Sequence, residues 1–162
     1  MNAFKRTVKG VFNFFGFDLV RLKYSNNNQH SAKSYDHEDI VNKIKNYTMT
    51  SKERQLALID AVEYVVTNNI EGSFVECGVW KGGSAMAMML KLLDLKVNDR
   101  YFYLYDTYEG MPAPSDRDVS WDGKEAASQL QDTPKGTGIW CLAQLEEVRK
   151  AACLSRLPRL AR

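Results

Sequence analysis

Apolar residues along this chain recur first at helical spacing, then in short continuous runs. Phe4, Val8, Val11, Phe12 and Phe15 form one stripe over residues 3–15, which predicts an amphipathic helix in need of a partner surface. Lys5, Arg6 and Lys9 make its other side basic; docking onto the protein's own body or a second subunit is favoured over a membrane surface. Residues 25–34, with three successive asparagines from Asn26, predict a flexible linker. Thr50 and Glu53 then have capping-box spacing ahead of Leu56, Ile59, Val62 and Val66, so a helix is predicted over 51–67, ended by Asn68, Asn69 and Gly72.

A β-prone segment at 73–76 leads into Gly82, Gly83 and Ser84 and a Met- and Leu-rich helix at 85–95. Residues 101–105 are aromatic or leucine only, as in a strand buried on both faces of a parallel sheet. Together these segments predict one βαβ unit. Residues 106–138 hold three prolines, four glycines and many acids, a length of loop that is usually functional or partly helical; 122–131 is a candidate short helix within it. A last helix is predicted over 140–149, with Trp140, Leu142, Leu145 and Val148 near one face. The organisation expected is an N-terminal helix and linker (1–35), a partial α/β domain (36–150) and a tail (151–162).

The 162 residues, 44% hydrophobic, suffice for one modest domain and exclude a large two-domain protein. A formal charge of +2 from interleaved acids and bases implies no field for nucleic acid. Cys77, Cys141 and Cys153 form no C-x-x-C pair and read as thiols of a reducing compartment. The early apolar stretch 11–20 is interrupted by Asn13, Gly16 and Asp18, so no transmembrane segment or export leader is expected and the cytoplasm is the default.

The chemistry concentrates in the run from Phe74 to Ser84, where a buried strand delivers Glu76 and then glycines to a helix N-terminus. Such a terminus presents unpaired N–H groups to an anion. A dinucleotide loop needs glycine where Trp80 stands, and a triphosphate loop needs a Gly-Lys-Ser/Thr ending that is absent here. S-adenosylmethionine, with a carboxylate and an ammonium but no phosphate, suits the pattern: Glu76 for the ammonium and loop N–H groups for the carboxylate. Asp106, ending the 101–105 strand, can accept hydrogen bonds from ribose hydroxyls. A tight turn without any ligand is the plainer alternative for the glycines.

The strings FVECGVWKGGSAM and LYDTYEGMPAP, preceded by YTMTSKERQLALIDAV, resemble the macrocin-type (TylF-like) O-methyltransferases over residues 40–150. GFDLVRL at 16–22 is compatible with that family's N-terminal region. The resemblance implies a partial Rossmann-like class I methyltransferase fold with N-terminal helices, S-adenosyl-L-methionine as cofactor, and a small-molecule acceptor hydroxyl on a sugar or on a polyketide or polysaccharide precursor. It also implies Mg2+ in full-length members and raises a homo-oligomer as an option. Carried onto matching positions, the cofactor contacts are Thr48, Met49, Glu76, Gly78, Val79, Trp80, Gly82, Gly83, Ser84, Asp106 and Thr107.

Residues 109–131 resemble the family's lid, which would bring Trp121, Asp116, Asp118 and Asp122 toward substrate, though the acids read more readily as solvated than as metal ligands. Met86, Met88 and Met89 read as core, and His30 and His37 as surface residues. Metal ligands and catalytic residues are not identified: the tail 151–162 carries no acid and is rich in arginine and leucine, unlike the family's continuation, as a truncated or frameshifted end would be. The alternative function is therefore a non-catalytic fragment or interaction module; a nicotinamide oxidoreductase is disfavoured by Trp80.

Overall fold

The computed structural model describes residues 18–23, 36–135 and 137–154. The helix expected at 3–15, the linker at 25–34, His30 and residues 155–162 lie outside these. Among the described residues three strands form one sheet in the order β1-β3-β2, where β1 is Asp18–Lys23, β2 is Phe74–Cys77 and β3 is Tyr101–Asp106. The β2–β3 pair is parallel, with Phe74 opposite Phe102 and Cys77 opposite Tyr105. Between them runs the helix α3 (Gly83–Asp94), which completes the expected βαβ unit. The strand β1, which the sequence pattern does not predict, pairs antiparallel with β3 from Asp18–Asp106 to Lys23–Tyr101.

Around the sheet lie α1 (His37–Ile44), α2 (Lys52–Thr67), α4 (Ala126–Asp132) and α5 (Leu145–Leu154). α3 is buried on nearly every side because it separates two cores. One side meets the sheet through Met88, Met89 and Leu92 against Phe102 and Leu104, with Val62 of α2 and Val148 of α5. The other meets α1 and α2 through Met86, Ala87 and Leu90 against Ile40, Ile44 and Ile59. The methionines are core, as expected. Phe74 and Phe102, cross-strand neighbours, stack with ring centroids 5.2 Å apart, which fixes the register of β2 on β3.

The structure departs from the sequence expectations at several elements. β3 is buried on one face only: Phe102 and Leu104 are sealed, while Tyr101, Tyr103 and Tyr105 are half-buried. Its alternation is that of a sheet covered, among the described residues, by helices on one side. α2 is capped at Ser51 rather than Thr50; the Glu53 carboxyl is held below its ordinary range by its own backbone N–H and the Ser51 hydroxyl, so no Thr50–Glu53 box forms. The helix expected over 140–149 begins at Leu145, after a 3-10 turn at Gly138–Trp140 and a left-handed Cys141 (φ 46°). It continues to Leu154 with Ala151 and Ala152 buried, so the first residues of the expected tail belong to α5. α1 has no counterpart among the predicted elements, and His37 on it is no isolated surface residue. Its ring nitrogens lie 3.5 Å from Asp60 and 3.6 Å from Glu63, and 3.3 Å from Lys91 Nζ.

Candidate functional site

The site lies where β2 and β3 end side by side and α3 begins. Alternation along β2 turns Phe74 and Glu76 inward and leaves Val75 and Cys77 exposed. The Gly78 N–H donates to the Tyr105 carbonyl at 2.9 Å, extending the ladder one residue past β2. The chain then turns through Gly78 (φ +84°), Trp80 (φ 47°) and Gly82 (φ +84°). All three are left-handed, a region open to glycine but costly for tryptophan.

Asp106 supplies what holds Trp80 there. Its Oδ2 accepts the Val79 N–H at 2.6 Å and the Trp80 N–H at 3.0 Å, while Oδ1 accepts the Tyr108 N–H at 3.0 Å. Gly82 caps α3, and its N–H donates to the Val79 carbonyl. A side chain at Gly82 would meet Val148 of α5 at 3.3 Å. The Gly83 N–H donates to the Tyr47 carbonyl at 2.9 Å, and a Cβ on Gly83 would stand 2.6 Å from that of Thr48. This contact ties the loop after α1 to the head of α3 and sets Thr48 beside Gly83. Thr48 Oγ1 in turn accepts the Thr50 N–H at 3.1 Å.

Glu76 is the most perturbed group of the site. Burial pushes its carboxyl up to about 7 and the nearby Asp106 charge adds to the rise, against hydrogen bonds from the Ser84 hydroxyl and the Ala85 N–H. Its Oε2 is buried with no hydrogen-bond partner. A buried carboxylate oxygen of this kind is satisfied by a cationic donor. Two acids close enough to repel thus stand at adjacent strand ends, a setting that suits a positively charged ligand over a phosphate.

The expectation that loop N–H groups await a ligand carboxylate is not met at Gly78, Val79, Trp80, Gly82 and Gly83, whose N–H groups are all engaged within the protein. The Asp106 carboxylate and the neighbouring backbone carbonyls take them first. Lys81 Nζ lies over the Trp80 ring, 4.8 Å from its centroid. Thr107 Oγ1 accepts the Glu109 N–H at 3.3 Å on the exposed side of the β3 tip, and Met49 is exposed. Of the groups that complete the site, the Tyr47 carbonyl, Val148 and the Tyr108 N–H carry no signal in the sequence motifs.

The acids of the long loop serve its own turns. Asp118 accepts from the N–H and hydroxyl of Ser115, and Asp122 pairs with Ser120 and Lys124; both carboxyls are held below their ordinary range by these partners. Trp121, between them, is 99% exposed. Among the described residues no three histidine, cysteine or acidic side chains gather as a metal-binding group.

The sequence profile of the macrocin O-methyltransferase (TylF) family matches residues 15–135. The chain belongs to this family. Curated relatives of this TylF-family chain include the demethyldecarbamoylnovobiocin O-methyltransferase of Streptomyces niveus, 36% identical over 77 residues, or 48% of the chain and 28% of the relative. Mycinamicin III 3''-O-methyltransferase of Micromonospora griseorubida is 30% identical over 86 residues, covering 53% of the chain and 34% of the relative. The solved structure of the O-methyltransferase NovP superposes with a TM-score of 0.52 at 28% identity, over 70% of the chain and 44% of NovP. The TylF-family chain therefore has a partial class I methyltransferase fold, and its matches span about a third of the length of the curated relatives. Among the described residues no helix is long and apolar enough to cross a membrane.

Proposed function

We propose that this chain holds S-adenosylmethionine for methyl transfer to a hydroxyl of a sugar or natural-product precursor, as an O-methyltransferase. The observation that carries the reading is the buried, unpartnered Oε2 of Glu76 beside Asp106. When bound, the cofactor supplies a sulfonium methyl group to a nucleophilic oxygen. Glu76 would hold its ammonium. Gly78, Val79, Trp80, Gly82, Gly83 and Ser84 would form the floor beneath it, with Thr48 and Met49 at one side and Asp106 and Thr107 toward the ribose. Lys81 and the loop donors not engaged by the protein would meet its carboxylate. The chain's contribution is positioning, which converts a bimolecular encounter into an aligned one.

The acceptor class rests on the relatives, whose names specify O-methylation of demethyldecarbamoylnovobiocin and of mycinamicin III. Mg2+ belongs to the proposal at family level only, since the described residues offer it no ligand set. Free thiols at Cys77 and Cys141 support a reducing, cytoplasmic setting, and β2, which ends the sheet among the described residues, supports a homo-oligomer.

Calorimetric titration with S-adenosylhomocysteine tests the donor site. Saturable binding is expected, weakened about tenfold or more in Glu76→Ala; no binding, or equal affinity in the two forms, overturns the reading. Donor consumption with a glycoside acceptor then separates an enzyme from a binding module, which would bind without turnover.

A further inference from the structure

We propose that Asp106 is the built-in anion of the glycine loop, a positioning residue that fixes the Val79–Trp80 turn and makes this seat reject phosphate-bearing nucleotides. The inference rests on the loop being a nucleoside seat and goes beyond the assignment of Asp106 to the ribose.

Turns that link a strand to a helix N-terminus commonly bind a ligand's anion through successive N–H groups. Here two successive N–H groups, of Val79 and Trp80, converge on one carboxylate oxygen of Asp106. The other oxygen takes the Tyr108 N–H. Three of roughly four acceptor positions of the carboxylate are thereby used within the protein, so at most one is left for a ribose hydroxyl.

Both ends of this clasp are strained. Trp80 (φ 47°) and Tyr108 (φ 57°) are non-glycine residues in the left-handed region, a conformation that persists where surrounding contacts impose it. Asp106 bonds the N–H of each. The same carboxylate closes the N–H pair to any external anion, and with Glu76 on the neighbouring strand it places two acids beside the loop. A phosphate would find its donors taken and two acids facing it, whereas an ammonium or sulfonium would find neither obstacle.

The test uses amide exchange and chemical shifts of the isotope-labelled chain. In Asp106→Ala the Val79 and Trp80 amides are expected to exchange at least about tenfold faster, while those of Phe102 and Leu104 within β3 keep their protection. Inorganic phosphate is expected to shift the Val79 and Trp80 amides in the variant and leave them unmoved in the natural chain. Unchanged exchange in the variant, or phosphate binding to the natural chain at these amides, overturns the proposal.

Should Asp106→Ala fail to fold, Asp106→Asn replaces it. A single neutral acceptor oxygen cannot serve both sides of the clasp, so exchange is expected to quicken at Val79 and Trp80 or at Tyr108, and a variant protected at all three overturns the clasp. A final arm compares S-adenosylhomocysteine with its 2'-deoxy form. A loss of affinity for both ligands on removing Asp106 is expected, larger for the one that keeps the hydroxyl; a loss confined to the ligand that keeps the hydroxyl makes Asp106 a ribose acceptor only and overturns its positioning role. If neither ligand binds the natural chain, the cofactor reading fails while the exchange arm still decides the clasp.

Discussion

The Gly83 N–H donates to the Tyr47 carbonyl at 2.9 Å, and a Cβ on Gly83 would fall 2.5 Å from that same oxygen. Two backbones approach here as closely as they can only because one residue has no side chain. Gly83→Ala should push the Tyr47–Thr48 loop off the head of α3. A loss of about 1–3 kcal/mol in stability is expected, with weaker S-adenosylhomocysteine binding, read by denaturant unfolding and titration. An unaltered midpoint would mean that the loop yields without cost.

Glu76 predicts a pH dependence of ligand binding. With its carboxyl raised to about 7 by burial, the acid is mostly neutral at pH 6 and ionised at pH 8. An ammonium ligand prefers the ionised form, so affinity for S-adenosylhomocysteine should rise nearly tenfold per unit as pH approaches 7 from below, then level. Glu76→Gln should bind weakly with a flat profile. Stability runs oppositely: a raised carboxyl favours the fold fully below pH 4.5, and that contribution is lost as pH rises through about 7, on the order of 3 kcal/mol at most. Glu76→Gln should therefore unfold at a higher temperature than the natural chain at pH 8.

Lys91 is buried, with its Nζ 2.8 Å from Glu63, 3.5 Å from Asp94 and 3.3 Å from the His37 ring. It joins α1, α2 and α3. Its partners are partly exposed and can rehydrate, so Lys91→Ala should cost about 2 kcal/mol and Lys91→Met less, because methionine keeps the buried stem. The Lys91 hydrogen bond and charge hold the Glu63 carboxyl below its ordinary range. That contribution is present above pH 4.5 and disappears as pH falls through the lowered value. Acid titration of unfolding should show this loss in the natural chain and not in Lys91→Met.

Val75 is 59% exposed on β2, the terminal strand of the sheet among the described residues. An uncovered edge with an exposed β-branched residue invites strand pairing between copies. Concentration-dependent association by sedimentation is expected, and Val75→Lys should reduce it; identical sedimentation of both forms would place any association elsewhere.

Much of the fold is legible where pattern and length agree. The βαβ unit can be read because β2 ends in glycines, α3 is long and apolar, and β3 is an uninterrupted run of aromatics and leucine. β1 cannot: DLVRLK neither alternates nor forms an apolar block, and its strand exists by pairing with β3. α1 stays hidden because its three buried residues, Ile40, Val41 and Ile44, sit among charges in eight residues, too short a window for a period. Trp140 and Leu142 fit a helical face on paper, yet Cys141 turns left-handed between them. At the site, Glu76 and Asp106 can be picked by residue type and position. Which N–H groups they take cannot, because that depends on how close two strand tips come, and the Tyr47 carbonyl has no side-chain signature at all.

Under the proposed function, the pair of acids at the strand tips would also bear on release of the spent cofactor. A sulfonium carries a positive charge and the thioether left behind carries none, so two acids at adjacent strand ends would grip the used nucleoside less firmly than the fresh one. Exchange of one for the other between cycles would be driven by electrostatics already built into the strands, without any motion of the sheet.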